Sequence, residues 1–474
     1  VGDTKIGNFR LAVTDLEIPL DGFPITVHRV YDTLQAADEG DFGFGWRLGL
    51  TGGRIRESVR VSDAELAGVP PMLGANPFRV GARVYITAPN GRRIGFTFDP
   101  ILKPGLLGAI WEPRFVADPG VYESLEVPPD ALRQQDDGTF TGYLIPLPYN
   151  PREYTLVTRE GLRYRYDQFD GLQDATDRDG NQLVYTPDAI LSSSGQSVQL
   201  VRDHRGRITR VVAPDGVTIE YAYDAAGDLV TVTDPVGDRT EYAYLADPPH
   251  YLDRNQCPTC QPLARVEYDA EGRVAKLFDA DGNAVSQAYD LEHDRERITD
   301  RAGHTTVLVF DDRGQVVAET DPLGNTTQYA YDAAGHITCM IDARGHETQY
   351  AYDDRGNMTQ VVDAAGASWT AVYTGSAEIL RATDPAGRTT TYQYDSAGRL
   401  QTLINAAGDR STLEWDDRGR VVQGTDNRGN PLGDFAYGSG QLPGSVTFAD
   451  GAVRRMDYNV FGQTTRYRDE AGGE

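Results

Sequence analysis

The sequence predicts an all-β protein built around a long antiparallel sheet of tandem β-hairpin repeats of about 21 residues, which curls. Three observations lead to this fold class. Glycines recur at a fixed interval, short runs alternate tyrosine with small polar residues, and tight-turn signals separate those runs. Such a composition is typical of all-β architecture. A twisted sheet of this length does not stay flat, so we expect it to curl.

The repeat is marked by glycines spaced 21 residues apart. They are Gly195, Gly216 and Gly237, followed after an interruption by Gly282, Gly303, Gly324, Gly345, Gly366, Gly387, Gly408 and Gly429. A second glycine lies 11 residues into many units, as Gly335 does after Gly324. A fixed period of this kind indicates stacked structural units, each of which contacts its neighbours.

One unit consists of two strands and two turns. The run from Gly324 to Gly335 reads Gly-Asn-Thr-Thr-Gln-Tyr-Ala-Tyr-Asp-Ala-Ala-Gly. Side chains alternate along a strand, so Tyr329 and Tyr331 share one face while Gln328 lies on the other. Each Asp-x-x-Gly is predicted to be a tight turn, because Asp accepts a backbone hydrogen bond two residues on and Gly adopts positive φ freely.

The tyrosines and second glycines define the repeat. They are Tyr221, Tyr223, Gly227, Tyr329, Tyr331, Gly335, Tyr350, Tyr352, Gly356, Tyr392, Tyr394 and Gly398. A lone hairpin is marginal in water, so neighbouring units are expected to stack and bury the tyrosine face. We interpret the tyrosine ladders as packing between strands, with glycan binding on the aromatic faces as the alternative. The small polar face is expected to meet water, inside a wide hollow.

Three segments are expected along the chain. Residues 1–52 form an N-terminal β module, in which Gly40-Asp-Phe-Gly-Phe-Gly-Trp46 plugs or caps a sheet end. Residues 53–154 form an irregular proline-rich β segment. Residues 155–474 form the repeat array, with a loop insertion at 247–262 that breaks the register. Because the chain starts at Val1 without a methionine, we expect a piece of a longer protein.

The bulk composition excludes some partners. The formal net charge of −26 and the pI of about 4.6 are the opposite of what a phosphate-binding surface needs, so no nucleic-acid partner is expected. No run of 18 apolar residues occurs, so no membrane span is expected. Three cysteines do not make a disulfide framework.

Cys257-Pro-Thr-Cys260 is the sharpest chemical feature of the sequence. We interpret it as a local disulfide or a free loop dithiol, and half of a zinc site is the alternative. No second cysteine pair completes a tetrahedron, and His250 is the nearest candidate ligand in sequence.

The remaining polar residues predict no catalytic site and no cofactor. Repeated aspartates are expected at turns, and neither an EF-hand nor a calcium-binding nonapeptide pattern occurs. Adjacent pairs such as Asp311-Asp312 point to opposite faces of a strand and do not make an acid/base pair. No motif for nucleophilic catalysis or phosphate binding appears. The chain is therefore not expected to be an enzyme.

The Tyr-x-Tyr-Asp-x-x-Gly units resemble the RHS/YD-repeat family. The best matches are Tyr221-Ala-Tyr-Asp-Ala-Ala-Gly227, Tyr350-Ala-Tyr-Asp-Asp-Arg-Gly356 and Tyr392-Gln-Tyr-Asp-Ser-Ala-Gly398. The start of the chain is similar to the module that opens many bacterial RHS proteins. The stretches that carry this similarity are Ile18-Pro-Leu-Asp-Gly-Phe-Pro24, Arg29-Val-Tyr31 and Phe42-Gly-Phe-Gly-Trp46.

The resemblance implies that the sheet curls into a spiral hollow shell or barrel and that the function is structural. Shells of this family enclose a C-terminal toxin in bacterial polymorphic toxins and insecticidal toxin complexes, and related barrels occur in teneurin-type adhesion proteins. It implies as partners a C-terminal core and toxin domain beyond this sequence, together with secretion-apparatus or cell-surface proteins. It also implies a secreted or cell-surface location and a part in virulence or interbacterial competition. A surface adhesion or glycan-binding module is the alternative.

The family's self-cleaving core is not recognisable in this sequence. Its motif reads Asp-Pro-x-Gly-Leu, whereas Asp321-Pro-Leu-Gly324 is followed by Asn325 and Asp384-Pro-Ala-Gly387 by Arg388. Both segments are expected to be ordinary repeat turns, so self-cleavage is carried over to no residue.

Overall fold

The computed structural model describes residues 7–20, 22–49, 55–59, 76–88, 92–105, 108–256, 265–438, 442–459 and 462–469. Within these ranges the regular elements are β-strands, apart from the short 3₁₀ turn Thr33–Gln35. The strands are short and pair antiparallel with their neighbours in sequence nearly throughout, as a chain of hairpins does. The predicted all-β fold class is confirmed.

The N-terminal residues form two small sheets. The three-stranded sheet runs in the order Arg10–Ile18, Ile25–Asp32, Trp46–Leu48, and a two-stranded ribbon joins Glu39–Gly40 to Gly43–Phe44. Burial alternates along Ile25–Asp32 because every second side chain points into the core. We call residues 7–49 the N-terminal module.

The described strands within residues 55–149, apart from Ser124–Glu126, form two four-stranded sheets. Their orders are Phe115–Ala117, Arg93–Phe98, Arg83–Thr87, Ile55–Glu57 and Phe140–Gly142, Leu132–Gln134, Gly108–Glu112, Ile101–Gly105. The side chains of Phe78, Phe96, Phe98 and Phe140 are fully buried between them. The Phe98 and Phe140 rings meet edge-on at 5.5 Å, an arrangement that aromatic rings prefer. This segment is more regular than the proline-rich sequence predicts, while the three domain boundaries stay a prediction.

The first repeat sheet has twelve strands. In order these are Ser124–Glu126, Glu153–Val157, Arg163–Asp167, Gly171–Thr176, Gln182–Tyr185, Ala189–Ser192, Ser197–Arg202, Ile208–Val212, Thr218–Tyr223, Leu229–Thr233, Arg239–Tyr244 and Leu252–Gln256. The tyrosine face of this sheet belongs to the main hydrophobic core, which it shares with the N-terminal module and the segment 55–149.

The second repeat sheet has sixteen strands. In order these are Arg265–Tyr268, Val274–Phe278, Ala284–Asp290, Arg295–Thr299, Thr305–Phe310, Val316–Thr320, Thr326–Tyr331, Ile337–Ile341, Glu347–Tyr352, Met358–Val362, Ser368–Tyr373, Ile379–Thr383, Thr389–Tyr394, Leu400–Ile404, Arg410–Trp415 and Val421–Thr425. A last sheet follows, made of Asp434–Tyr437, Pro443–Thr447, Val453–Tyr458 and Thr464–Arg468.

The array is divided and open. Its described strands belong to separate sheets, and the end strands of each long sheet do not pair with one another, so neither closes into a barrel. The predicted long antiparallel hairpin sheet is therefore confirmed, whereas closure into a barrel is not observed among the described strands.

The array has two edges, each lined by turns. We call the edge formed by the turns after each Tyr-x-Tyr motif the motif edge, with turns such as 332–335 and 353–356. We call the other edge the opposite edge, with turns such as 177–180, 321–324 and 363–366. Strands and turns alternate, so all turns of one kind lie along the same side of the strip.

The motif edge of the second sheet rests on the opposite edge of the first. The Tyr122 hydroxyl lies 2.8 Å from His336 Nε2, Arg178 lies 2.6 Å from Glu378, and Arg399 lies 3.4 Å from Asp179. The paired residues are 200–220 positions apart in sequence, which corresponds to about ten units of 21 residues. About ten units therefore complete one turn of the strip, which we call a coil. We call the line of contact between successive coils the seam.

Candidate functional surface

Each repeat turn is closed by its aspartate. In the turn at 321–324, Asp321 Oδ1 accepts hydrogen bonds from the backbone N–H groups of Leu323 at 2.9 Å and Asn325 at 2.8 Å. The Asn325 side-chain amide donates to Asp321 Oδ2 at 2.8 Å, and Gly324 has φ of +86°. These bonds occupy the carboxylate, and the side-chain amide of Asn325 followed by its backbone N–H lowers the pKa of Asp321.

The same arrangement recurs at both edges and supports the turn interpretation of the repeated aspartates. In the turn at 353–356, Asp353 Oδ1 accepts from the backbone N–H groups of Arg355 at 3.0 Å and Asn357 at 2.9 Å. Carboxylates held in this way satisfy the backbone of a tight turn. No group of three or more candidate metal ligands occurs within the described ranges.

The second tyrosine of each motif braces one hairpin to the previous one. The Tyr331 hydroxyl donates to the carbonyl of Val316 at 2.7 Å, 15 residues earlier. Equivalent bonds join Tyr244 to Leu229, Tyr352 to Ile337, Tyr373 to Met358, Tyr394 to Ile379 and Tyr458 to Pro443. Tyr223 makes the same bond to Ile208. The motif thus supplies a hydrogen bond as well as aromatic surface.

Trp415 occupies the second-tyrosine position of its unit and preserves this brace. Its indole Nε1 donates to the Leu400 carbonyl at 2.8 Å, again 15 residues earlier. Tryptophan is the other large aromatic residue with a donor at its far end. The brace therefore does not depend on tyrosine itself, because a tryptophan at this position makes the same hydrogen bond.

The first tyrosine of the motif packs under the N-terminal module in the first sheet. Tyr221 is 5% exposed, its ring lies 4.8 Å from the Phe42 ring, and its hydroxyl donates to Asp15 Oδ2 at 2.8 Å. Burial raises the pKa of Tyr221 well above its ordinary value. The plug that the sequence predicts at residues 40–46 therefore lies on the tyrosine face, rather than only at a sheet end.

A buried cation holds the two parts together. Arg29 Nη2 donates to Asp15 Oδ1 at 2.8 Å, and the guanidinium lies 5.0 Å from the Trp46 ring centroid and 5.7 Å from those of Tyr221 and Tyr242. Cations bind aromatic faces strongly when water is excluded. Burial lowers the pKa of Arg29, but Asp15 and the tyrosines outweigh it, and the pKa lies well above its ordinary value.

Further contacts extend this interface. Trp46 Nε1 donates to the Tyr244 hydroxyl at 2.8 Å, and the Tyr31 hydroxyl donates to the carbonyl of His250 at 2.8 Å. His250 stacks on Phe44 with ring centroids 3.8 Å apart and lies 2.8 Å from Asp228. His250, the sequence's nearest candidate ligand for the cysteine pair, is thus engaged with the N-terminal module.

Sequence reasoning assigned no role to Arg29 or Asp15. A signal for Arg29 exists, because Ile25, Val27 and Tyr31 alternate as inward-facing residues and Arg29 falls on the same face. Asp15 lies at the bulge between Thr14 and Leu16, where the register shifts. Bulges re-aim side chains in this way, and the alternation of a sequence does not reveal them.

The tyrosine face of the second sheet is much less covered. The side chains of Tyr329, Tyr331, Tyr350, Tyr352, Tyr392 and Tyr394 are all of intermediate exposure. Among the described residues of this sheet, the buried apolar side chains are Val266 and Val274, which lie in its first two strands. The predicted burial of the tyrosines thus holds for Tyr221 and is incomplete for the later units.

The polar face of the second sheet meets water. Gln328, Ala330, Gln349 and Gln393 on this face are exposed. The N-terminal module lies against the tyrosine face instead, because that face offers the apolar surface whose burial is favourable. The expectation that the small polar face lines the hollow is therefore wrong for the first repeat sheet, where the N-terminal module packs on the tyrosine face.

The space around the repeat glycines differs between the seam and the opposite edge of the second sheet. A β-carbon added at Gly356 would overlap the Tyr122 ring, and one at Gly398 would overlap the Arg178 guanidinium. Added at Gly324, Gly366 or Gly387 of the opposite edge, it would meet nothing within 4 Å. Gly335 and Gly227 have positive φ of +93° and +104° at their turns.

Two of the sequence's candidate ligands cannot be placed. Cys257 and Cys260 lie outside the described residues, so the disulfide and zinc alternatives both stay open. Cys339 is a free thiol of intermediate exposure on the strand Ile337–Ile341. Across the described parts of the chain, no helix is long and apolar enough to cross a membrane.

Two family models match the chain. The RHS Repeat model matches residues 202–244, 310–346, 340–368 and 378–410. A domain of unknown function, DUF6531, matches residues 3–69. The matches therefore fall in both repeat sheets and over the N-terminal module. No curated protein matches the chain significantly.

Solved toxin complexes are similar at low identity. A Tc holotoxin pore of Photorhabdus luminescens with a mutation in TccC3 matches with 11% identity and a TM-score of 0.40, covering 80% of this chain and 26% of that one. A TcdB2–TccC3 crystal structure matches with 14% identity and a TM-score of 0.36, covering 98% and 30%. The chain spans less than a third of the length of these solved chains.

Proposed function

We propose, from the premise that this chain is an RHS-repeat protein, that it is a non-catalytic structural segment of a shell that encapsulates or delivers a C-terminal toxin domain of a larger bacterial protein. The repeats build the wall, and the N-terminal module fills one end of it. The partners would be the C-terminal core and toxin domain of the parent protein, with secretion-apparatus or cell-surface proteins outside. The location would be secreted or at the cell surface, in virulence or interbacterial competition.

The observation that carries this proposal is the unequal cover of the tyrosine face in the two repeat sheets. In the first sheet the tyrosine face is sealed by the chain's own N-terminal module, whereas in the second sheet the same face lies half exposed. An extended aromatic surface left uncovered marks a place where another polypeptide packs. Coils that rest on each other along the seam supply a wall around such a polypeptide.

The test is made on the full-length parent protein. Electron cryomicroscopy should show a closed cavity that contains the C-terminal domain, and that domain should resist a protease that digests it when it is expressed alone. An open assembly, or a C-terminal domain cut equally fast in both forms, would contradict the proposal. Specific glycan or cell binding by the chain, with no toxin domain encoded downstream, would favour the adhesion alternative.

A matched pair of variants links the test to the wall. Arg29→Met in the parent removes the buried cation beneath the N-terminal module, while Arg344→Met removes a charge from an exposed turn of the opposite edge. Faster digestion of the C-terminal domain is expected for the first variant alone. Equal protection in both variants would show that the module does not seal the cavity.

A further inference from the structure

One unit of the second sheet has small side chains on both strands at the centre of the tyrosine face. At the central cross-strand pair, tyrosine faces an aliphatic residue in the pairs Tyr221–Val232, Tyr329–Met340, Tyr350–Val361 and Tyr392–Leu403. The equivalent pair in the unit between Gly366 and Gly387 is Ala371–Ala382. Both partners of the pair are small, which leaves a gap two strands wide.

The gap is a real concavity with an aromatic wall. A depression of about 820 Å³ is lined by Val361, Trp369, Ala371, Tyr373 and Ala382. Trp369 stands where the neighbouring units carry threonine, as at Thr348 and Thr390, and it is 43% exposed. Exposed tryptophan beside a small-residue floor offers apolar surface that no described part of the chain covers.

The tyrosine face of the first sheet already shows what packs on it. In the first sheet the Phe42 ring lies 4.8 Å from Tyr221, and the Trp46 ring lies edge-on to Tyr242 at 5.3 Å. Both rings come from a separate segment of polypeptide laid across the face. The second sheet carries the same position of the repeat unit on its tyrosine face, so the interface with the first sheet indicates the chemistry of the occupant.

We propose that the space between Ala371 and Ala382, walled by Trp369, is a receptor for an aromatic side chain of an extended polypeptide segment. The side chain would fill the place of the missing tyrosine and pack on Trp369 at an angle, as Phe42 packs on Tyr221. In the parent protein the segment would belong to the enclosed domain, and this source rests on the proposed function. The receptor itself is a property of the described strands.

The probe is the peptide acetyl-Gly-Gly-(4-fluorophenylalanine)-Gly-Gly-amide, titrated with the whole chain and followed by fluorine NMR. Binding to the wild type is expected, with line broadening and a shift of the fluorine signal. Ala371→Tyr restores the tyrosine that other units carry and should weaken binding about tenfold or more, because the site of burial is filled. Ala382→Leu, which copies Leu403, should act in the same way.

The control is Ala351→Tyr, which adds the same side chain to the opposite, polar face of a neighbouring unit, where Ala351 pairs with Gln360. It should leave peptide binding unchanged. Thermal melting of each variant reports folding, so a loss of binding with an unchanged or raised Tm supports the receptor. Unchanged binding in both filling variants, or equal binding of a leucine peptide, overturns it. Displacement of the peptide by a cello-oligosaccharide that binds more tightly also overturns it.

The outcomes separate this inference from the proposed function. If the parent encloses its C-terminal domain but the peptide does not bind, the receptor is wrong and the shell stands. If the peptide binds and the filling variants lose it, while the parent encloses nothing, the shell proposal is wrong and the receptor stands.

Discussion

Arg29 and Asp15 form an ion pair that is enclosed between the N-terminal module and the first repeat sheet, with side-chain exposures of 1% and 6%. Arg29 bonds to Tyr242 and Asp15 bonds to Tyr221, and each tyrosine lies more than 200 residues after its partner, so the pair fixes the module to the array. Removing one partner of such a pair leaves the other buried and uncompensated.

Arg29→Met is therefore expected to lower the free energy of unfolding by about 3–5 kcal/mol, since Asp15 would be left buried without its cation. Urea denaturation followed by tryptophan fluorescence measures it. Arg344→Met, at an exposed turn, is the control and should change stability by less than about 0.5 kcal/mol. The double variant Arg29→Met with Asp15→Leu should recover part of the loss. Similar losses of stability in Arg29→Met and Arg344→Met would show that the ion pair does not hold the interface.

Tyr352→Phe is expected to destabilise the array by about 0.5–1.5 kcal/mol, because it removes the hydroxyl that donates to the Ile337 carbonyl at 3.0 Å. The matched control is Tyr350→Phe in the same strand, at the first-tyrosine position, which does not make this brace. Hydrogen exchange by mass spectrometry should show faster exchange around residues 337–341 in the first variant. Equal exchange in the two variants would mean that the brace contributes nothing.

Gly356→Ala, at the seam, and Gly366→Ala, on the opposite edge of the second sheet, should lower stability by different amounts. Both glycines have positive φ, of +72° and +81°, so each alanine should cost about 1–2 kcal/mol from backbone strain. At Gly356 the new methyl also overlaps the Tyr122 ring across the seam, so its cost should be clearly larger. Limited proteolysis should release seam segments only in the Gly356 variant. Equal costs would be inconsistent with coils that rest on each other.

Acid should loosen the turns of the opposite edge. The pKa values of Asp321 and Asp426 are lowered in the folded protein, in each case by a side-chain amide first and then by backbone N–H groups. A lowered folded pKa means that the stabilisation is present above the unfolded value near 3.8 and is lost as the pH falls through the folded pKa. The melting temperature should therefore fall steeply below about pH 4.

Asp321→Asn tests the local cause of this acid sensitivity. Asn405 already closes an equivalent turn, accepting backbone hydrogen bonds from Ala407 and Asp409 at 2.9 Å and 3.0 Å. The variant should keep the turn at pH 7 while the amide exchange of Leu323 becomes independent of pH once corrected for intrinsic exchange. Asp417→Asn, beside a turn aspartate but exposed, should leave that exchange unchanged. Persistent pH dependence at Leu323 would contradict the assignment.

Local pattern is sufficient to predict the hairpins. The alternation around Tyr329 and Tyr331 gives the two faces, and the spacing from Asp321 to Gly324 gives the turn. The seam between Arg178 and Glu378 is beyond such reasoning, because a 21-residue period sets the unit and not the number of units per coil. The partial cover of the tyrosine face is beyond it too, since cover depends on where Trp46 and Arg29 dock. The hydrogen bond from Tyr331 to the Val316 carbonyl is also beyond such reasoning, because it depends on the register shift between Ala330 and Tyr331.

The seam restricts how the number of repeats can change. Arg178 meets Glu378, and the next motif-edge turn brings Arg399 to Asp179. Deleting one 21-residue unit between these positions would bring Arg399 to Arg178, so an attraction between unlike charges would become a repulsion between like ones. The gain or loss of a unit within one turn of the strip is therefore opposed by the order of charges along the seam. The arginines and carboxylates of the two edges, rather than the repeat motif, limit how many units make up one turn of the strip.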